Sequence, residues 1–182
     1  VPENLRPRDE KGSFGILVKA HDALTRITLD HHPFGVVGWD GYYYPYAFSI
    51  HDFEPKVGRT HLPPPVHQTF EADGYVICSF CPRPYDFDKN AIPAPYAHTN
   101  AMSDEMIFYA SAEFMSRKGV SFGSITLHPD GLPHGPQPGR TEASIGAKWT
   151  DELAVMLDTF RPLQVAKGFL DAEDPSYWKS WV

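Results

Sequence analysis

Three histidines and an acidic pair between His98 and His134 have the residue types and spacing of a metal centre. The stretch opens HTNAMSDEMIFY and closes GSITLHPDGLPHGP. His98 is followed seven positions on by the carboxylate Glu105, and His128 and His134 stand six apart beside Pro and Gly. Two imidazoles and one carboxylate are the donors of mononuclear ferrous sites. They take one face of an octahedral ion and leave the opposite face for a chelating substrate and dioxygen. Oxygen chemistry is the reaction class that this set points to.

Each donor has to be placed by its element. His98 follows the rigid loop IPAPYA, and Glu105 opens the strand-like run EMIFYASAEF. A carboxylate at the head of an apolar strand is costly unless a cation or hydrogen bonds compensate it. Asp104 is the rival acid. Adjacent strand residues face opposite ways, so one of the two reaches the ion while the other orients a ligand or meets solvent. His128 ends the run GSITLHP and His134 follows the turn PDGLP, which brings the two rings near one place. One of them can ligate while the other hydrogen-bonds substrate; a solvated pair at a loop tip is the plainer alternative. His51, in FSIHDFEP, is a candidate general base, because an ordinary histidine pKa of about 6.5 suits removal of a phenolic proton. Equally, it could be a half-buried histidine satisfied by backbone. His61 and His67, beside the triple proline, read as loop or strand-face residues.

The elements that must hold these residues read as strands. Runs rich in Val, Ile, Phe and Tyr, bounded by Gly, Pro and Asp, are GILVKA (15–20), TRITLD (25–30), FGVVGW (34–39), YAFSIHDF (46–53), HQTFEA (67–72), GYVICSF (74–80), EMIFYASAEF (105–114), SFGSITLHP (121–129) and ELAVMLDTF (152–160). The last could also be a buried helical turn. Eighteen prolines and fourteen glycines fall mostly between the runs and exclude long helices. An antiparallel all-β sandwich or barrel is expected, as one domain over residues 1–182. The tail DAEDPSYWKSWV has more aromatic surface than a free end should expose, so it is expected to pack on the barrel or on a neighbouring subunit.

Composition removes several function classes. A formal charge of −7 without a basic block argues against nucleic acid as a partner. No apolar run approaches the roughly 20 residues that span a bilayer, and VPENLRPRDEKG lacks the regions of a signal peptide. A cytoplasmic protein without a membrane partner is expected. Cys78 and Cys81 form a lone C-x-x-C inside an apparent strand, with no second pair for zinc, and read as reduced core thiols. A G-x-S-x-G elbow and phosphate loops are absent.

The chain resembles the catalytic C-terminal part of the homogentisate 1,2-dioxygenase family. The resemblance runs through VVGWDGYYYPYAFSIHDFEP, PPPVHQTF, YVICSFCPRP, PYAHTNAMSDE, GSITLHPDGLPHGPQPG and DELAVMLDTFRPL. It implies a cupin-type antiparallel β-barrel or jelly roll with few short helices, binding Fe(II) and opening the ring of homogentisate with dioxygen to give maleylacetoacetate, a step of tyrosine and phenylalanine breakdown. Carried over by motif, His98, Glu105 and His134 are the iron ligands, His128 contacts substrate beside His134, His51 is the base and Tyr96 helps to hold the substrate. The family spacing counted forward from His98 lands on Asp104, whereas counting back from EMIFYASA favours Glu105, which is the residue chosen. Phe114 stands where the family motif often carries a tyrosine. That departure keeps open a related dioxygenase for another hydroxylated aromatic acid, such as gentisate; a catalytically silent cupin binding module is the further alternative. The resemblance also implies a trimer or hexamer. Because Val1 is not an initiator residue and family members are longer, the chain is expected to be the C-terminal portion of a longer one.

Overall fold

The computed structural model describes residues 3–4, 8–21, 23–33, 46–60, 66–111 and 113–182. Backbone proximity divides the chain into two units, Val1–Asp52 and Phe53–Val182. In the first, β1 (Glu3–Asn4) pairs antiparallel with β4 (Tyr46–Ala47), and β2 (Lys11–Ala20) pairs with β3 (Ala23–His31). The β2–β3 hairpin turns at His21, whose φ of 52° is the left-handed geometry that two-residue hairpin loops require. Its register sets Phe14 against Leu29 and Ile16 against Ile27. The run at 46–53 is a strand only at its start and then turns as a 3-10 helix over Ile50–Asp52. The runs at 15–20 and 25–30 lie within β2 and β3, while 34–39 and His61 lie outside the described residues.

The second unit is organised by a five-stranded antiparallel sheet. Its strands are β5 (Gln68–Ala72), β6 (Tyr75–Phe80), β8 (Asp104–Tyr109), β9 (Ile125–His128) and β11 (Ala154–Thr159), in the order β5-β6-β11-β8-β9. The pair β7 (Arg83–Pro84) and β10 (Trp149–Thr150) stands beside them as a separate ladder. Two short helices, α1 (Arg140–Ser144) and α2 (Lys167–Leu170), and a C-terminal 3-10 turn at Tyr177–Trp181 complete the described elements. The fold is all-β and cupin-like, as expected. None of the described helices is long and apolar enough to cross a membrane.

Local chemistry explains where the strands stop. Asp73 and Gly74 close the β5–β6 hairpin, with Gly74 at φ 89°. β8 ends at Tyr109, short of the expected 114, because Ser111 Oγ bonds both the N–H and the carbonyl of Glu113 and folds the chain into a turn. β9 begins only at Ile125, because the Ser124 N–H donates to the Ser121 carbonyl and Gly123 takes φ 87°. The ambiguous run at 152–160 is β11, the central strand of the sheet.

One face of that sheet carries the core. Ile107, Tyr109, Phe114 and Ala154 are buried together, with Phe80, Val120 and Met156 packed around them. Phe114 meets Tyr109 and Phe80 edge-on, at ring separations of 5.0 and 5.5 Å. Cys78 and Cys81 are free and buried. Burial first, then the charges of Asp158 and Glu105, push the Cys78 thiol up to about 12, so it behaves as an inert core side chain. The opposite face leaves Phe70, Ile125, Leu127 and Val155 partly in solvent. The aromatic tail folds back on its own unit: Trp181 Nε1 donates to the Gly135 carbonyl at 3.2 Å and the Tyr177 hydroxyl to the Lys118 carbonyl at 3.1 Å. Phe114→Ala would empty the centre of this core, and a loss of about 3–5 kcal/mol in urea unfolding is expected.

Candidate metal centre

Alternation along β8 separates the two acids. Asp104 accepts the backbone N–H groups of Asp130 at 2.9 Å and Leu163 at 2.6 Å, so it anchors two loops. Glu105 points to the other face, where the register sets it against His128 of β9 on one side and Asp158 of β11 on the other. His128 Nδ1 lies 2.8 Å from Glu105 Oε1.

The remaining donors meet through one isolated bridge. The His98 N–H donates to the His134 carbonyl and the His134 N–H to the His98 carbonyl, both at 2.8 Å. Gly135 makes this approach possible: a Cβ there would lie 2.7 Å from the Ala97 Cα. The two rings stand 4.5 Å apart, and donor atoms of His98, Glu105 and His134 all lie within 4.8 Å of one another.

The hydrogen bonds of these residues orient them for a cation. His98 Nδ1 is 3.0 Å from the Tyr96 carbonyl and His134 Nδ1 is 2.9 Å from the Leu132 carbonyl. A carbonyl only accepts, so each Nδ1 carries a proton, and each Nε2 is the ring nitrogen left to meet a cation. His134 Nε2 is buried without a hydrogen-bond partner, 3.4 Å from Glu105 Oε1. An orphaned buried nitrogen facing a carboxylate is a poor arrangement for a metal-free core and a suitable one for a divalent ion. Burial alone would raise the Glu105 carboxyl, but His128 and then His134 outweigh it and hold the carboxyl below the usual carboxylate range. Burial lowers His128 more than Glu105 raises it, so that ring stays neutral near pH 7. At His134, burial is outweighed by Glu105 and the Leu132 carbonyl, and the pKa is raised.

Within the second unit the expected site residues take different places. His98, Glu105 and His134 converge, and His128 joins them by stacking on His134 at 4.2 Å with the planes 4° apart. His128 engages Glu105 through its Nδ1. Tyr96 is at the edge, 64% exposed, with its ring 5.9 Å from His98. His51 belongs to the first unit, exposed on its 3-10 turn, and is not among the residues gathered in the second. Phe114 is a core residue. Two neighbours escaped the sequence reading, Asp158 and Arg117, while Trp181 comes from the aromatic tail that was expected to pack. Arg117 is buried, donates from Nη1 to the Gly135 carbonyl at 2.9 Å and lies 5.5 Å from the Trp181 ring. Asp158 carried a usable signal, an acid inside an apolar run, like Glu105.

Similarity to known proteins agrees with a site for oxygen chemistry. Over 179 residues, 97% of its length, the chain is 44% identical to a candidate dioxygenase of Saccharolobus solfataricus, of which it spans 47%. The chain is a relative of dioxygenases. It is also 31% identical over 165 residues, 84% of the chain and 37% of the relative, to homogentisate 1,2-dioxygenase of Rhodopseudomonas palustris. To homogentisate 1,2-dioxygenase of Homo sapiens it is 29% identical over 192 residues, 96% of the chain and 43% of the relative. The chain thus spans less than half the length of these relatives. No protein-family model matches it.

Two measurements check this geometry in the metal-free protein. Gly135→Ala forces a methyl group into the Ala97 backbone and is expected to cost roughly 2 kcal/mol or more in urea unfolding. The depressed Glu105 carboxyl contributes stability that is complete above its unfolded pKa of about 4.3 and disappears as pH falls through the lower folded value. Wild type should therefore lose, as pH falls below about 5, an increment of stability that Glu105→Gln lacks, read from thermal melts of both.

Proposed function

We propose that the chain is the catalytic portion of an Fe(II)-dependent dioxygenase that opens the ring of homogentisate, giving maleylacetoacetate. The observation that carries this reading is the convergence of donor atoms from His98, Glu105 and His134 within 4.8 Å, with His134 Nε2 buried and making no hydrogen bond. The similarity to dioxygenases over nearly the whole chain supports it. Ferrous ion, when bound, supplies the electron exchange with dioxygen that no side chain can provide.

The residues do the rest. His98 and His134 present Nε2 because backbone carbonyls hold their Nδ1 protons. Glu105 remains an anion because neutral His128 donates to it, and the stacked His128 ring also fixes the plane of His134. Tyr96, exposed beside His98, is assigned to contact the aromatic substrate at the entrance, with His128 and His134 forming the inner wall. His51 is assigned the removal of the phenolic proton. A cytoplasmic trimer or hexamer belongs to the same reading.

The test is anaerobic loading with Fe(II), metal analysis and then oxygen uptake with homogentisate. About one iron per chain and stoichiometric uptake are expected; an iron-replete sample that consumes no oxygen would overturn the reading. Alanine at His98, Glu105 or His134 should remove iron binding, whereas His128→Ala should weaken it about 10–100-fold by loosening Glu105. The higher identity to a dioxygenase whose name gives no substrate favours a second reading, a related enzyme acting on another hydroxylated aromatic acid. Turnover across homogentisate, gentisate and simpler dihydroxybenzoic acids separates the two.

A further inference from the structure

We propose that Asp158 is a second buried carboxylate of the cation site, outside the donor set, that supplies the counter-charge the donors leave unmet. This rests on the reading of His98, Glu105 and His134 as donors.

Register places it there. Asp158 of β11 is directly opposite Glu105 of β8, which is directly opposite His128 of β9, so the three side chains form one row on the inner face of the sheet. On its far side Asp158 meets Val76 of β6, which offers nothing polar from its side chain. Asp158 is only 8% exposed, and its Oδ1 is buried without a hydrogen-bond partner. No ion pair among the described residues includes it. Nor do its oxygens belong to the donor cluster. Glu105 is thus held between an imidazole that hydrogen-bonds it and an acid that does not.

Two carboxylates opposed on neighbouring strands, away from water, repel each other, and the unpaired one also bears its full desolvation cost. Both neighbouring histidines that could ligate are neutral when they do so. A divalent cation against Glu105 would therefore face one negative charge from its donors and find the second in Asp158. The same residue that burdens the metal-free fold makes the site's charge match that of its ion.

The test compares wild type with Asp158→Asn, which keeps the shape and removes the charge. Co(II) is titrated anaerobically at about pH 7.5 and followed by its visible absorption, and metal-free melting is recorded for both proteins. The expected result is binding weakened about tenfold or more in the variant, with metal-free melting unchanged or raised. Affinity within about twofold of wild type overturns the proposal and leaves the donor set intact. Weaker binding accompanied by lower metal-free melting also overturns it, since that is the signature of a merely structural residue. If wild type binds no Co(II) while His98→Ala behaves identically, the donor reading falls and this proposal with it.

Discussion

Glu105 is an anion held almost out of water, and the surrounding structure is organised by what that requires. A buried carboxylate is stable only where donors or positive charge approach it closely. Its strand supplies neither, so the compensation arrives from β9, through His128 Nδ1, and from the loop bearing His134. The isolated bridge between His98 and His134 delivers the second imidazole to the same point, and Gly135 permits the backbone contact that closes it. The tail adds a wall behind these groups, since Trp181 and Arg117 share the Gly135 carbonyl. Each contact is modest alone, but all are coupled through one side chain.

The convergence of His98, Glu105 and His134 is legible in the sequence because two local rules coincide. Alternation on a strand decides between Asp104 and Glu105 once one acid is known to be inside, and the turn PDGLP returns the chain from His128 to His134. Counting spacing alone would have left Asp104 in contention. The structure gives Asp104 a different task, holding Asp130 and Leu163 through their N–H groups, and a loop-anchoring acid has no sequence signature.

Other features were not legible, for identifiable reasons. β11 is apolar on both faces, so its periodicity cannot be distinguished from that of a buried helix, and although Asp158 stands out as an acid in that run, only register pairs it with Glu105. The turn that His128 shares with His134 gives no hint of its bond to Glu105. Its partner is a carboxylate one strand away, a contact that depends on β8–β9 register. Phe114 belongs to the packing of Tyr109 and Phe80, which only the turn after β8 reveals. His51 sits in a separate unit from the donors, so its place in the chain carries no geometric information about them.

The bridge joining His98 to His134 is a single pair of reciprocal bonds between segments far apart along the chain, with no further ladder on either side. One residue pair repays only slightly the entropy of bringing such segments together, so the bridge depends on the sheet and turns that flank it. A partly collapsed chain would own the acid but lack the two rings in register. Metal uptake by a purified sample would then gauge native assembly as well as metal supply, and a preparation that takes up little would be as much a statement about maturation as about chemistry.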